Sequence, residues 1–298
     1  MRLLIAGWQG QLARSFVDAA ALRSDISALA LGRPALDLCE VRGIERALSE
    51  DRPDVVINTA GFTAVDDAED NEQRAFALNR DGARLLARVA AERGVPIVHM
   101  STVNVFDGTK PTPYVEDDAV APLSVYGRSK LAGEVDVRVA NTRHVILRTS
   151  WIYSTTPGTF LPNVLARARA GEILRIIADQ HGSPTYAPDL AAAVLEIAAK
   201  AYAARTDASS SLWGTYHIAN SGPPASWYAL TEAACHAAEL HEPARQIIAI
   251  TSADMPTRAP RPLNAALDTG RLLKMHGLEL RDWREAVAEA ARSLVPSA

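Results

Sequence analysis

The chain has 298 residues, 48% hydrophobic and 22% charged, the balance of a globular protein large enough to bury a sizeable core. Its formal net charge of -4, with signs mixed, excludes the basic footprint of a nucleic-acid binder, and its two cysteines, Cys39 and Cys235, are too few for a disulfide scaffold and read as small packing residues. No apolar run reaches the roughly 18 residues of a membrane span, and the run from Met1 breaks at Gly7, short of a signal-peptide core, so a cytoplasmic protein is expected.

Leu3-Leu4-Ile5-Ala6 is a short continuous apolar run, as in a strand buried on both faces of a parallel sheet. Gly7-Trp8-Gln9-Gly10-Gln11-Leu12-Ala13 follows, then a helical pattern through Phe16, Val17, Ala20 and Leu22. In this GxxGxxA spacing Gly7 allows a tight turn and Gly10 lets the backbone approach a pyrophosphate. Ala13 permits close helix–strand packing, and the helix N-terminus faces the phosphates. Residues 26–31 read as the second strand, ending in Gly32-Arg33. An acid at this point would hold ribose hydroxyls, whereas an arginine suits a 2′-phosphate, which tilts the cofactor towards NADPH, with NADH as the alternative.

Asp37-Leu38 comes next, then a helix over about 41–51 and a third strand over 53–58. Thr59-Ala60-Gly61 puts small residues at that strand's carboxyl end, where open α/β sheets hold their ligand. Thr63, Val65 and Asp66 run on into an acidic loop, a long helix covers about 71–93, and a fourth strand over 95–100 delivers Ser101-Thr102 to the crevice. After a loop rich in Pro, Asp and Gly, a helix begins at Tyr126 and runs to about Ala140. The i,i+4 spacing puts Tyr126 and Lys130 on one face, and an ammonium beside a phenol favours its ionised form, making a tuned proton donor. The YxxxK pattern alone fits an exposed surface pair equally well.

A fifth strand over 145–149 completes five alternations of strand and helix, the pattern of an α/β, Rossmann-type doubly wound parallel sheet. Residues 175–178 and 216–219 read as late sheet strands with a helix over 190–204 between them, and Ser226 as the cap of a helix beginning at Trp227. Residues 247–262 read as a long ordered loop, and Asp282-Trp283 as the start of a closing helix to Leu294. A Rossmann domain is thus expected over 1–150, completed by about 172–222. A smaller C-terminal substrate-binding domain takes 151–171 and 223–298.

Several ordered blocks add up to a family. They are Gly7-x-x-Gly10-Gln11-Leu12, Asn58 to Glu69, Ser101-Thr102-x-x-Val105-Phe106-Asp107-Gly108, Tyr126-x-x-x-Lys130 to Glu134, and Arg148 to Tyr153. Asp179-Gln180 to Thr185, Ser226-Trp227-Tyr228 and Arg261-Pro262-x-Asn264 follow. The chain resembles the extended short-chain dehydrogenase/reductases and, within them, the dTDP-4-dehydrorhamnose reductases. The resemblance implies that Thr102, Tyr126 and Lys130 are catalytic: Tyr126 protonates the ketone oxygen as NADPH reduces C4, Thr102 hydrogen-bonds that oxygen, and Lys130 holds the nicotinamide ribose. Cofactor contacts are expected from Gly7, Gly10, Gln11, Leu12, Arg33, Asp37, Leu38, Ala60, Gly61 and Thr63, with Tyr126 and Lys130. Substrate contacts are expected from Thr63, Val65, Thr102, Asn104 and Trp151, with Trp151 stacked on the sugar and Arg261 towards the diphosphate.

The family's usual Asp-Tyr after the Ser-Thr pair is Val103-Asn104 here, which leaves the hexose open, and Ser15 stands where some members carry a magnesium-binding glutamate, so no metal is expected. The implied reaction reduces dTDP-4-dehydro-L-rhamnose to dTDP-L-rhamnose. Alternatives are a reductase or epimerase of another nucleotide-linked 4-keto-6-deoxyhexose, or a non-catalytic cofactor-binding subunit, as relatives of the family are for methionine adenosyltransferase. The expected partner is a small nucleotide sugar, with neither nucleic acid nor membrane, and the chain is expected to be a monomer or homodimer.

Overall fold

The computed structural model describes residues 1–240 and 247–295. Six strands form one all-parallel sheet: β1 (Arg2–Ala6), β2 (Ser27–Leu31), β3 (Val55–Asn58), β4 (Ile97–Thr102), β5 (His144–Thr149) and β6 (Gly214–His217), in the order β6-β5-β4-β3-β1-β2. The continuous apolar runs are explained by burial on both faces. Leu3, Ile5, Val55 and Ile57 pack on one side with Phe16, Leu190 and Val194, while Leu4, Ala6 and Val56 pack on the other with Ile44, Leu48 and Leu86. This is the period-2 alternation of a strand dividing its side chains between two helical layers. The chain leaves β1 for β2 on one side and reaches β3 on the other. The strand order therefore reverses beside β1, and a crevice opens at the carboxyl ends there.

Helix α1 (Gln11–Ala21) follows β1, α2 (Val41–Asp51) follows β2, and α6 (Val125–Ala140) precedes β5. The acidic loop expected after Thr63 is instead a helix, α3 (Val65–Asp70), with Asp66 and Asp67 in its first turn, where carboxylates oppose the positive end of the helix dipole. The long helix expected over 71–93 consists of α4 (Glu72–Phe76) and α5 (Ala83–Glu92) joined through π-helical turns at Ala77–Gly82.

A second lobe has its own core, in which Tyr153, Leu161, Leu165, Leu230, Trp283 and Val287 are buried. It includes α7 (Phe160–Arg169), a helix at Trp227–Ala237 capped by Ser226, whose hydroxyl accepts from the Ala229 N–H, and the closing helix Trp283–Ser293, capped by Asp282. One strand assignment is corrected. Leu174–Ile177 does not join the large sheet but pairs in parallel with Ile247–Ile250, inside the segment expected to be a loop. Ile247 and Ile250 are buried while Ile248 is exposed, so this ribbon covers the second lobe's core on one face only. Beyond β5, among the described residues, β6 alone extends the large sheet. Of the two cysteines, Cys235 is buried, but Cys39 is exposed and is not the packing residue expected. No helix among the described residues is long and apolar enough to cross a membrane.

Candidate active site

Gly7 follows β1 with φ +110°, and a Cβ there would stand 2.4 Å from Thr59 Oγ1, so neither the backbone nor the space admits a side chain. Gly10 is the N-cap of α1 in extended conformation, with no side chain capping the helix and open space where its Cβ would be. The first turn of α1 therefore presents its N–H groups to the crevice, the cradle a pyrophosphate needs. Leu12 and Ala13 are buried against the sheet. Gln11 lines the same cleft, and its side chain is held in the protein: its Nε2 donates to the Ile152 carbonyl at 3.3 Å and its Oε1 accepts from Ser154 Oγ at 2.8 Å. The amide thus ties α1 to the chain beyond β5.

At the end of β2, Arg33 is exposed and forms no ion pair among the described residues. Asp37 Oδ1 accepts the Cys39 N–H at 2.9 Å, and Leu38 is buried, resting against the place a Gly82 Cβ would occupy. At the end of β3, Asn58 Oδ1 accepts the Ala60 N–H at 3.1 Å. The next loop is held by Asn79 from the π-helical turns. Its Oδ1 accepts the Phe62 N–H at 2.7 Å, and its Nδ2 donates to the Phe62 carbonyl at 3.1 Å and to Ser129 Oγ at 2.8 Å. A Cβ on Gly61 would lie 2.9 Å from Asn79 Oδ1.

Helix α6 begins at Ser124, whose hydroxyl accepts the Gly127 N–H at 3.1 Å. Gly127 sits so close to the Asn104 carbonyl that a Cβ would approach it to 2.2 Å, which brings the first turn of α6 down onto the chain leaving β4. Thr102 is buried at the end of β4, and its Oγ1 accepts the Asn104 N–H at 3.1 Å. Lys130 is buried and its Nζ donates to the Met100 carbonyl at 2.6 Å. Burial pulls its pKa down to about 8, opposed by the Glu134 carboxylate one turn on. The expected lowering of the phenol by the ammonium is not what this arrangement shows. Burial pushes Tyr126 up, and the opposing influence is the Thr102 hydroxyl.

A single cleft of about 1400 Å³ runs from the glycine turn past β2 and β3 to the second lobe. Apart from Arg261, the residues singled out above as catalytic, cofactor-binding or substrate-binding contribute to its wall, Val65, Asn104 and Trp151 included. Trp151, with φ +42°, stacks on Trp227 at a centroid distance of 4.0 Å and packs on Gly182. Arg261 is not directed as expected: it donates to Asp66 on α3 at 2.7 Å and to the Ala259 carbonyl. Val103 is buried in a cluster with Val105, Phe106 and Tyr114 and does not line the cleft, so of the two departures from the family pattern only Asn104 faces it.

The family model described as the RmlD substrate binding domain matches residues 1–295. The chain belongs to this family. A dTDP-4-dehydrorhamnose reductase of Sinorhizobium fredii is 40% identical over 99% of this chain and 98% of its own length. A probable dTDP-4,6-dihydroxy-2-methyloxan-3-one 4-ketoreductase of Streptomyces antibioticus is 36% identical over 97% and 94%. The solved structure of dTDP-4-dehydrorhamnose reductase from Bacillus anthracis in complex with NADP superposes with a TM-score of 0.88 at 28% identity, covering 97% of this chain and 98% of that one.

In this RmlD-family chain a buried ion pair fixes α6. Glu134 and Arg148 meet at 2.7 Å, Ser101 Oγ donates to Glu134 at 2.5 Å, and the Arg148 guanidinium lies 5.2 Å from the Phe106 ring centre. The pair joins α6 to β5, and through Ser101, the neighbour of Thr102, to β4. A buried pair this well hydrogen-bonded is costly to break from one side. Sequence reasoning passed over Asn79, which no spacing rule marks, and over Trp8, which lies inside the glycine turn and could have been noticed there.

Proposed function

We propose that this chain reduces the C4 ketone of dTDP-4-dehydro-L-rhamnose with NADPH, giving dTDP-L-rhamnose. The observation that carries the reading is the convergence of Thr102, Tyr126 and Lys130 on the same cleft as the uncapped glycine turn of α1. The open cradle at Gly7 and Gly10 suits a dinucleotide pyrophosphate, and Arg33 suits a 2′-phosphate. Bound NADPH supplies the hydride to C4. Tyr126 gives its proton to the ketone oxygen, Thr102 hydrogen-bonds the same oxygen, and Lys130 holds the ribose and offers positive charge to the phenolate that proton transfer leaves behind. Trp151 and Asn104 form the sugar end of the cleft. The chain works in the cytoplasm as a monomer or homodimer.

A second reading, reduction of other dTDP-linked 4-keto sugars, is favoured by Asn104 and by the likeness to the Streptomyces antibioticus relative. Removing a phenol that pairs with a hydroxyl relaxes rejection of analogues. The test is a panel of dTDP- and GDP-linked 4-keto-6-deoxyhexoses, with loss of reduced nicotinamide absorbance as the readout. The expected result is turnover of the rhamnose precursor, measurable turnover of its epimers, and loss of both by orders of magnitude in Tyr126→Phe. Tight NADPH binding with no turnover of any dTDP sugar would instead favour the regulatory-subunit reading.

A further inference from the structure

Trp8 stands between the two glycines of the cofactor turn, with half of its surface exposed. Its indole rests on the end of β2. A Cβ built on Gly32 would lie 2.1 Å from Trp8 Cδ1 and 2.7 Å from Nε1, so the N–H edge of the ring occupies the space a side chain would take at position 32. Arg33 is the next residue. Trp213 and Trp283 each donate their indole N–H to a backbone carbonyl, of Asp207 and Pro223, whereas those of Trp8, Trp151 and Trp227 meet no protein acceptor among the described residues, and of these three Trp8 is the one set against the end of β2. Arg33 likewise has no carboxylate partner there, and the nearby Asp37 turns one carboxylate oxygen to the Cys39 N–H.

Two donors, one of them cationic, thus line the same cleft from two turns that meet at Gly32, and neither has a protein partner among the described residues. A diol needs an acceptor at such a place, whereas a phosphate dianion needs donors. We infer that Trp8 Nε1 and Arg33 together form the site for the 2′-phosphate, and that the indole, seated by the absence of a side chain at Gly32, is a determinant of the preference for NADPH over NADH. The inference rests on the cofactor reading above.

The test is calorimetric titration of the unliganded protein with NADPH, NADH, 2′,5′-ADP and 5′-AMP, with melting temperatures as a check on folding. Trp8→Phe keeps an aromatic ring, though a smaller one, and removes the donor. It should weaken NADPH and 2′,5′-ADP about tenfold while NADH and 5′-AMP change less than about twofold, as expected for one hydrogen bond to a charged group. Gly32→Ala displaces the indole and should give the same selective loss, with the two changes less than additive when combined. An unchanged NADPH-to-NADH ratio in Trp8→Phe overturns the inference and leaves the cofactor reading standing. Equal weakening of both cofactors also overturns it, by placing the ring against the shared adenosine. A wild-type protein that binds both alike overturns inference and cofactor reading together.

Discussion

Lys130 shows how position changes what a residue can do. Burial makes its cation costly, so the ammonium persists only below about pH 8, well under the range of an exposed lysine. The groups around it are the Glu134 carboxylate, which favours the cation, the Met100 carbonyl, and His99, which burial holds neutral. If the cation is needed, kcat/KM for NADPH should fall as pH rises through about 8, because that parameter reports the free enzyme. Glu134→Gln removes the favouring charge, so the limb should move to lower pH. The same variant should cost about 3 kcal/mol of stability by leaving Arg148 buried without its partner. Rate profiles and denaturant unfolding of both proteins check this, and a limb that stays in place would contradict the role given to Glu134.

At the scale of the element, the π-helical turns matter most. Helical periodicity from 72 to 92 is visible in the sequence, but the wider winding at Ala77–Gly82 is not, because it shifts the side-chain phase over only six residues. Its effect is to aim Asn79 at the Phe62 backbone and at Ser129, coupling a cleft-lining loop to the helix that carries Tyr126 and Lys130. Asn79→Ala should lower stability by about 1–3 kcal/mol, since the Phe62 N–H loses its acceptor. It should also raise KM more than it lowers kcat, because the loop loosens while the catalytic groups remain. Thermal unfolding with steady-state kinetics measures both. An unaltered KM with a lowered kcat would mean that Asn79 acts on the chemistry and not on the loop.

Across the whole molecule, α3 and the chain before Asn264 are bound together. Arg261 pairs with Asp66, and Arg258 pairs with Asp67 and Asp70. For Asp66, burial would raise its pKa, but the Ala259 N–H and the Arg261 and Arg258 guanidiniums together hold it below the usual carboxylate range. The sign follows: stability from this contact is present above the unfolded carboxylate pKa and is lost as pH falls through the lower folded value. The groups are partly exposed, so the contribution is modest. A double-mutant cycle of Asp66→Asn and Arg261→Ala in denaturant unfolding should show coupling of about 0.5–1 kcal/mol at neutral pH, decreasing in high salt. Zero coupling at low salt would leave Arg261 available for the diphosphate after all.

Most of what was readable from the residues alone was local. Leu3 to Ala6 and Val55 to Ile57 suited buried strands because every side chain in them is apolar, and Gly7 and Gly10 suited a turn because glycine permits one. The four-residue spacing of Tyr126 and Lys130 likewise needed only a helix. Tertiary structure decided the rest. Strand pairing is non-local, so nothing in Leu174–Ile177 names Ile247–Ile250 as its partner rather than the large sheet. Arg261 finds Asp66 across 195 positions, and Trp8 settles on Gly32 because two turns meet. Lys130 takes its altered pKa from burial that no neighbour in sequence supplies. Backbone preference is set by adjacent residues, whereas a side chain's partner, and the cost of its charge, depend on what the folded chain brings around it.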